Sequence, residues 1–182
     1  LQEMRDAIAQ ASRNLLSWGV TSVTDATPEN DLARWEALRQ YQADGLLKQR
    51  VTLMPGVGHL GQFVERGMGY GSPDRSGLRL GHAKIVVTLT TGGLHPSEPE
   101  LRELITEAHR LGFPVAVHAV EEEAILAVLN TLSVCPYARM FGVKANRHTD
   151  IRAYDRIEHC SEATPAVQSL LKETGVAVCI NP

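Results

Sequence analysis

Apolar positions along the chain alternate between strand spacing and helical spacing from one end to the other. Six short runs rich in β-branched and other apolar residues predict strands, at 20–26, 50–55, 83–89, 113–120, 156–160 and 176–180. Apolar residues three and four apart predict helices, at 4–18, 31–47, 98–111, 121–132 and 164–174. The glycine-rich stretch 56–81 is interpreted as a loop with a short helix, and 133–153 as a polar, basic connection. The pattern is therefore a strand followed by a helix, repeated along the chain.

Successive predicted strands lie roughly 30 residues apart, which is the spacing of consecutive βα units. This spacing fits an open doubly wound sheet and a closed barrel equally well. We favour the barrel, because polar residues recur at the carboxyl ends of the strands and no glycine-rich phosphate turn follows the first strand. An eight-unit barrel typically has about 250 residues. The sequence therefore predicts an α/β fold of the (β/α)8 TIM-barrel type that is incomplete, with one partial barrel domain over residues 1–182.

Composition narrows the classes of function. With 43% hydrophobic and 21% charged residues, the chain has ordinary globular usage, which excludes disorder and fibre. The net charge is -3 and neither sign forms a long run, so we expect a small-molecule partner and neither nucleic acid nor membrane. The three cysteines form no CxxC pair, so they indicate no disulfide framework and favour a reducing, cytoplasmic compartment. No apolar run approaches the roughly 18 residues of a membrane-spanning helix.

Three consecutive predicted strands carry side chains that can bind a metal, namely Lys84, His118 and His159. Because side chains alternate along a strand, we expect all three to point into the barrel, and Glu158 to point toward the helices and pair with Arg156 or a backbone group. A barrel interior is apolar, so a Lys and two His there need a hydrogen bond, an ion pair or a metal. Neutral imidazole is a common zinc ligand, and a Lys could join it after carboxylation by carbon dioxide removes its positive charge. Singly, each residue is more often an ordinary core or surface residue; together they predict a metal site.

Two further residues are candidates for substrate contacts. His95 lies in the loop after the third predicted strand, at the rim where substrate groups would be bound. Asp25 ends the first predicted strand, where it either contacts substrate or a metal ligand, or starts a turn. The remaining histidines lack such a placement and are expected at the surface: His59, His82, His109 and His148. Cys160 and Cys179 are expected to be small buried hydrophobic residues.

The stretches AKIVVTL, FPVAVHAV and DRIEHC, each followed by a predicted helix, carry a resemblance that extends over residues 15–182. Here the chain resembles the metal-dependent amidohydrolase superfamily, specifically its YtcJ-like branch. The resemblance implies a (β/α)8 barrel that holds one or two divalent metals at the carboxyl ends of its strands. Lys84 then matches the fourth-strand ligand, a carboxylated Lys or an acidic residue, and His118 and His159 match the fifth-strand and sixth-strand histidines. The six predicted strands would be the second to the seventh of that barrel.

Two features of the family pattern have no counterpart in the sequence, the HxH pair of the first strand and the Asp of the eighth. The resemblance therefore implies an internal segment of a longer enzyme, and we expect the isolated chain to be inactive. For the whole enzyme it implies a hydrolase in which metal-bound hydroxide attacks an amide or cyclic-amide C–N bond. Zinc is the default metal for these ligand types, with iron and manganese as alternatives.

Two other interpretations stay open. A non-catalytic barrel fragment or degenerate homologue, acting as a binding or assembly module, would also lack the HxH pair and the Asp. An unrelated barrel lyase or aldolase would use Lys84 as a Schiff-base amine, which requires a lowered lysine pKa in an apolar pocket. The open sheet edges of an incomplete barrel also favour self-association of this chain into a homo-oligomer.

Overall fold

The computed structural model describes residues 2–89, 93–134 and 154–180. They belong to two compact units, Leu1–Gly81 and His82–Pro182. Most of the connection predicted at 133–153, together with His148, lies outside the described residues. None of the helices in the described ranges combines the length and the hydrophobicity that a bilayer span requires. The organisation of 1–182 as a single domain stays a prediction.

Parallel strands and helices alternate in the first unit. Its elements, in chain order, are α1 Gln2–Ser17, β1 Ser22–Asp25, α2 Leu32–Ala43, β2 Arg50–Leu53, a 3-10 turn Val57–His59, α3 Leu60–Val64 and β3 Leu78–Leu80. The strands lie in the order β1-β2-β3, and both pairs are parallel. Helix α2 begins where the sequence predicts it, because the side chain of Asp31 accepts a hydrogen bond from the backbone N–H of Arg34 at 2.9 Å.

The apolar core of the first unit includes one face of this sheet. Val51 is aligned with Leu78 and Leu53 with Leu80, and all four side chains are buried. Phe63 of α3 is also fully buried, and its ring lies edge to face with Trp35 of α2, 6.3 Å between ring centroids. Because one face of the sheet carries these buried apolar residues, the polar side chains of β2 and β3 lie on the opposite face.

Strand β3 corrects the expectation that 56–81 is a loop with a short helix. The short helix is present as α3, but β3 adds a strand parallel to β2. The three residues of β3 are too few to show the alternation of a strand, and the glycines on either side of β3 are typical of a turn. Gly81 follows β3 because space there is short: a Cβ on it would lie 2.8 Å from Cγ2 of Thr52 and 3.2 Å from the carbonyl oxygen of Leu53.

The second unit repeats the same alternation around a four-stranded parallel sheet. Its elements are β4 Ala83–Val86, α4 Glu98–Arg110, β5 Val115–Ala119, α5 Glu122–Val134, β6 Arg156–His159, α6 Pro165–Thr174 and β7 Ala177–Cys179, and the strand order is β4-β5-β6-β7. A capping box between Ser97 and Glu100 begins α4. Thr164 caps α6, and Gly175 ends it with a left-handed backbone, φ 68°. The six predicted strands are all confirmed, each with somewhat shorter bounds.

A buried hydrogen-bonded pair ties three elements of the second unit together, and it corrects the expectation that His109 lies at the surface. His109 is fully buried on α4, and its Nε2–H donates to Oδ1 of Asp155 at 3.0 Å. The same oxygen accepts the backbone N–H of Val115 at 2.9 Å. One carboxylate therefore joins α4, the start of β5 and the residue that precedes β6.

Candidate functional site

The register of the second sheet brings Lys84 and His118 to one face. Lys84 is aligned with Ala116, which is aligned with Arg156, and His118 is aligned with Glu158. Aligned residues of neighbouring parallel strands point to the same face, and so do residues two apart along one strand. Lys84, His118, Arg156 and Glu158 therefore share a face, which we call the lysine–histidine face.

His159 reaches His118 through an unusual backbone conformation. Simple alternation would place its side chain on the face opposite that of Glu158. His159 has φ 77° and Cys160 has φ 52°, both in the left-handed region that residues other than glycine rarely adopt. The imidazole rings of His118 and His159 lie edge to face, 4.7 Å apart between centroids. The left-handed turn at the end of β6 thus brings the second imidazole to the first.

Glu158 is where the sequence-based orientation was wrong. It was expected to point toward the helices, but the register places it on the lysine–histidine face. The expected pairing with Arg156 is confirmed, with 2.7 Å between the arginine Nε and the carboxylate Oε1. The expectation failed because regular alternation along β6 ends before His159, so counting back from His159 inverts the strand.

Cys160 and Cys179 differ from each other in exposure. Cys160 is buried, as expected, whereas Cys179 is exposed, contrary to expectation. Cys179 is aligned with Glu158 and hydrogen-bonds its carboxylate. That hydrogen bond raises the pKa of the Cys179 thiol, with the negative charge of Glu158 acting in the same direction. A thiol held in its neutral form by a carboxylate is a poor nucleophile.

Lys84 is a buried amine in a charged setting, with only 5% of its surface exposed. Burial lowers its pKa; the charge of Glu158 opposes this shift and the charge of Arg156 adds to it. A larger fraction of the amine is therefore neutral than in a solvated lysine. The neutral amine is the form that can react with carbon dioxide, because only its lone pair is free to attack.

His118 is also biased toward its neutral form. Burial lowers its pKa, and the positive charges of His159 and Lys84 lower it further, against an opposing effect of Glu121 and Glu158. Neutral imidazole is the form that ligates a metal ion, so the surroundings of His118 favour the ligating state.

His95 is exposed and lies at the carboxyl end of β4. Its backbone pairs with Thr88, each N–H donating to the other's carbonyl oxygen at 2.9 Å. This pairing brings the loop that follows β4 back to the strand end. His95 thus stands at the same end of the second sheet as His118 and His159.

Asp25 ends β1 in the first unit, where it organises a turn. Its Oδ1 accepts hydrogen bonds from the backbone N–H of Thr27 and from the side-chain amide of Asn30, both at 3.0 Å. Burial alone would raise the pKa of Asp25, but these hydrogen bonds hold it below the usual value. The turn-forming alternative of the sequence analysis is therefore present, and a substrate contact of Asp25 stays a prediction.

Lys84, His118 and His159 fit a divalent cation only if Lys84 is carboxylated. In the described part of the chain, no three His, Cys, Asp or Glu side chains are arranged to hold a metal ion. Two adjacent imidazoles and a carboxylated Lys84 would supply two neutral nitrogens and one anionic oxygen, which is a three-ligand set open to a water or a substrate. Lys84 must lose its positive charge for the three residues to act together.

Comparisons with known proteins identify the family and the fold class of this chain. The model of the amidohydrolase family matches residues 1–182. An uncharacterized metal-dependent hydrolase from Pyrococcus furiosus is 23% identical, with a TM-score of 0.72 over 97% of this chain and 37% of that chain. Another, from Pyrococcus horikoshii OT3, is 20% identical, with a TM-score of 0.68 over 94% of this chain and 35% of that chain. This chain thus spans about a third of the length of either structure, and their likeness confirms the incomplete α/β barrel class.

No curated protein matches the sequence.

Proposed function

The chain belongs to the amidohydrolase family, and on this premise we propose that it is part of a metal-dependent hydrolase in which Lys84, His118 and His159 hold a divalent cation. The observation that carries the proposal is the approach of the two imidazole rings to 4.7 Å between centroids, which a left-handed residue at the end of β6 makes possible. Backbone strain of this kind persists where a functional geometry requires it.

Zinc is the proposed metal, because two imidazoles and one carboxylate oxygen are ligands that zinc commonly takes. Iron and manganese accept the same set. When bound, such a cation lowers the pKa of a water ligand and polarises a carbonyl oxygen of the substrate. The proposed bond broken is an amide or cyclic-amide C–N bond, and the support for it is family membership.

The residues of this chain prepare the site in three ways. Lys84, buried and biased toward its neutral amine, can attack carbon dioxide; a C–N bond forms, a proton leaves and the side chain becomes an anion. Arg156 holds the carboxylate of Glu158 at 2.7 Å, and its positive charge opposes the effect of Glu158 on the pKa of Lys84. His118 stays neutral and its nitrogen lone pair is available.

His95 and Asp25 are the proposed substrate-contacting residues. The exposed His95, at the carboxyl end of β4, can donate or accept a hydrogen bond at the mouth of the site. Asp25 keeps an ionised carboxylate, since its hydrogen bonds lower its pKa. His95 thus offers an imidazole that can donate or accept a hydrogen bond, and Asp25 offers an anionic carboxylate.

Metal content tests the proposal directly. The chain is purified without chelator and with bicarbonate present, and zinc, iron and manganese are measured per chain by elemental analysis. We expect near-stoichiometric metal in the wild type, and its loss in the His118→Ala and Lys84→Met variants. His59→Ala is the matched control, since His59 lies in the first unit beside Gln62 and is not a proposed ligand.

The outcomes of this experiment separate the proposal from its rival. Equal metal content in the wild type and His118→Ala, or no uptake of any metal, would contradict a site built on these residues. The second result would favour a non-catalytic binding or assembly module. That candidate has one observation in its favour, the absence of three converging His, Cys, Asp or Glu ligands among residues 2–89, 93–134 and 154–180.

A further inference from the structure

The first sheet has a polar face that the proposed function does not use. Ser22 is aligned with Arg50, and Thr52 with Arg79. Arg50 and Thr52 are two residues apart on β2, so all four side chains lie on one face. We call this set the arginine face; the opposite face carries the buried core of the first unit.

A cleft of about 420 Å³ borders the arginine face and also reaches Val51 and Leu78. Its lining includes Ser22, Arg50, Thr52, Asp74 and Arg79. Both arginines are exposed, so their guanidinium groups are accessible to a ligand from solvent. The cleft lies within the range of roughly 300–1,000 Å³ that is usual for small-molecule sites.

The charge of the cleft is not balanced by protein groups. Among the residues that the structure describes, no carboxylate lies within 4.0 Å of the charged groups of Arg50 or Arg79, whereas Arg66 and Arg156 each have such a partner. Asp74 is the acidic residue of the lining, and its Oδ1 is engaged by the backbone N–H of Ser76 at 2.7 Å. Two positive charges and one negative charge therefore line the cleft.

The arrangement of the hydrogen-bond donors in the cleft indicates what kind of ligand would bind there. Arg50 and Arg79 are diagonal neighbours on adjacent strands, and like charges so placed repel unless solvent or an anion separates them. A guanidinium group presents a planar fork that binds phosphate or carboxylate oxygens in pairs. Ser22 is aligned with Arg50 and Thr52 with Arg79, and the hydroxyl group of each can donate one more hydrogen bond.

We propose that this cleft is a binding site for an oxyanion group, a phosphate or a carboxylate, of a small molecule. Arg50 and Arg79 bind its oxygens, and Ser22 and Thr52 complete the shell of donors. All these residues belong to the first unit, and none of them is a proposed ligand of the metal.

Ligand-dependent stabilisation tests the site. The thermal unfolding midpoint of the full chain is followed as inorganic phosphate is added, and in a parallel series as acetate is added, with chloride replacing either anion at constant ionic strength. We expect a saturable rise, since a ligand that binds only the folded state stabilises it. The series that saturates at the lower concentration identifies the group, phosphate or carboxylate.

Matched variants decide whether the two arginines are responsible. Arg50→Gln and Arg79→Gln should each weaken the affinity at least about tenfold, as expected for loss of a charge-assisted hydrogen bond. Arg75→Gln removes the same charge from an exposed position next to Asp74 that does not line the cleft, and it should leave the affinity unchanged.

Three results would overturn the proposal: no rise with either anion, a rise that does not saturate, or an equal loss in all three variants. Should a glutamine variant fail to fold, Arg79→Lys keeps the charge but removes the fork. It is expected to bind the anion more weakly than the wild type, and equal affinity would contradict the assigned role of Arg79.

Discussion

His159 and Cys160 hold backbone angles that most L residues avoid, and this local feature decides the geometry of the candidate site. A left-handed backbone costs roughly 1–2 kcal/mol per non-glycine residue. The cost is tolerated because the fold around β6 fixes the strand up to Glu158 and the chain must then turn toward α6. The position of the His159 ring depends on this backbone conformation. Substitutions that disfavour a left-handed backbone at 159 or 160 should therefore move the ring even when they remove no side-chain contact.

The choice of residue at 159 should therefore matter for stability in a specific order. His159→Asn is expected to leave the free energy of unfolding close to that of the wild type, because Asn tolerates the left-handed region. His159→Val is expected to be about 1–2 kcal/mol less stable than His159→Asn, because a β-branched residue does not tolerate it. Urea unfolding of the two variants checks this order, and equal stabilities would show that position 159 is not strained.

At the level of elements, the join between α4, β5 and β6 rests on one buried carboxylate. Oδ1 of Asp155 accepts from the ring of His109 and from the backbone of Val115. Both His109 and Asp155 are almost completely buried, so removing either leaves a polar group without water to replace its partner. The strand that carries Glu158 and His159 begins immediately after this joint.

We expect Asp155→Ala to lower the free energy of unfolding by roughly 2–4 kcal/mol, the cost of leaving buried donors unpaired. The control is Glu107→Ala, on the helix that carries His109: the ion pair of Glu107 with Arg110 has a 2.6 Å separation but is exposed to solvent, and its loss should cost under about 1 kcal/mol. Chemical denaturation of both variants gives the comparison. Equal costs would mean that burial does not strengthen the Asp155 contacts.

At the scale of the whole molecule, stability should fall as the solution becomes acidic. Burial lowers the pKa of His82 to about 4, with the charge of Arg156 adding to the shift and the hydrogen bond to the carbonyl oxygen of Tyr154 opposing it. The unfolded chain then binds a proton on His82 below about pH 6.5 that the folded chain refuses. The stabilisation that the lowered pKa of His82 gives the folded chain is complete above that pH. It is lost progressively as the pH falls toward 4.

The shifted pKa of His82 alone should lower the free energy of unfolding by an amount on the order of 3 kcal/mol between pH 6.5 and 4. His82→Gln should flatten the dependence of the free energy of unfolding on pH between 6.5 and 4. Urea titrations at a series of pH values measure the slope. A slope that His82→Gln does not change would assign the acid sensitivity to other groups, such as His118.

Elements with a long, regular pattern of apolar residues could be predicted from the sequence. Features that depend on contacts between distant residues could not. Helix α4 could be predicted from spacing alone, and Lys84 and His118 could be placed on one face because β4 and β5 alternate without interruption. Strand β3 is too short to show a period. The orientation of Glu158 required knowledge of the left-handed turn that follows it, and the burial of His109 depends on a residue 46 positions away.

The joint at Asp155 also bears on errors in assembly. A parallel strand that slips by one residue exchanges its two faces. Such a slip of β6 would set Arg156, rather than Asp155, against His109 and the N–H of Val115, so an acceptor would be replaced by a third donor. The misaligned sheet would lose both hydrogen bonds at the start of β6. Asp155 thus favours the register that places Glu158 and His159 correctly, although it belongs to neither the strand nor the candidate site.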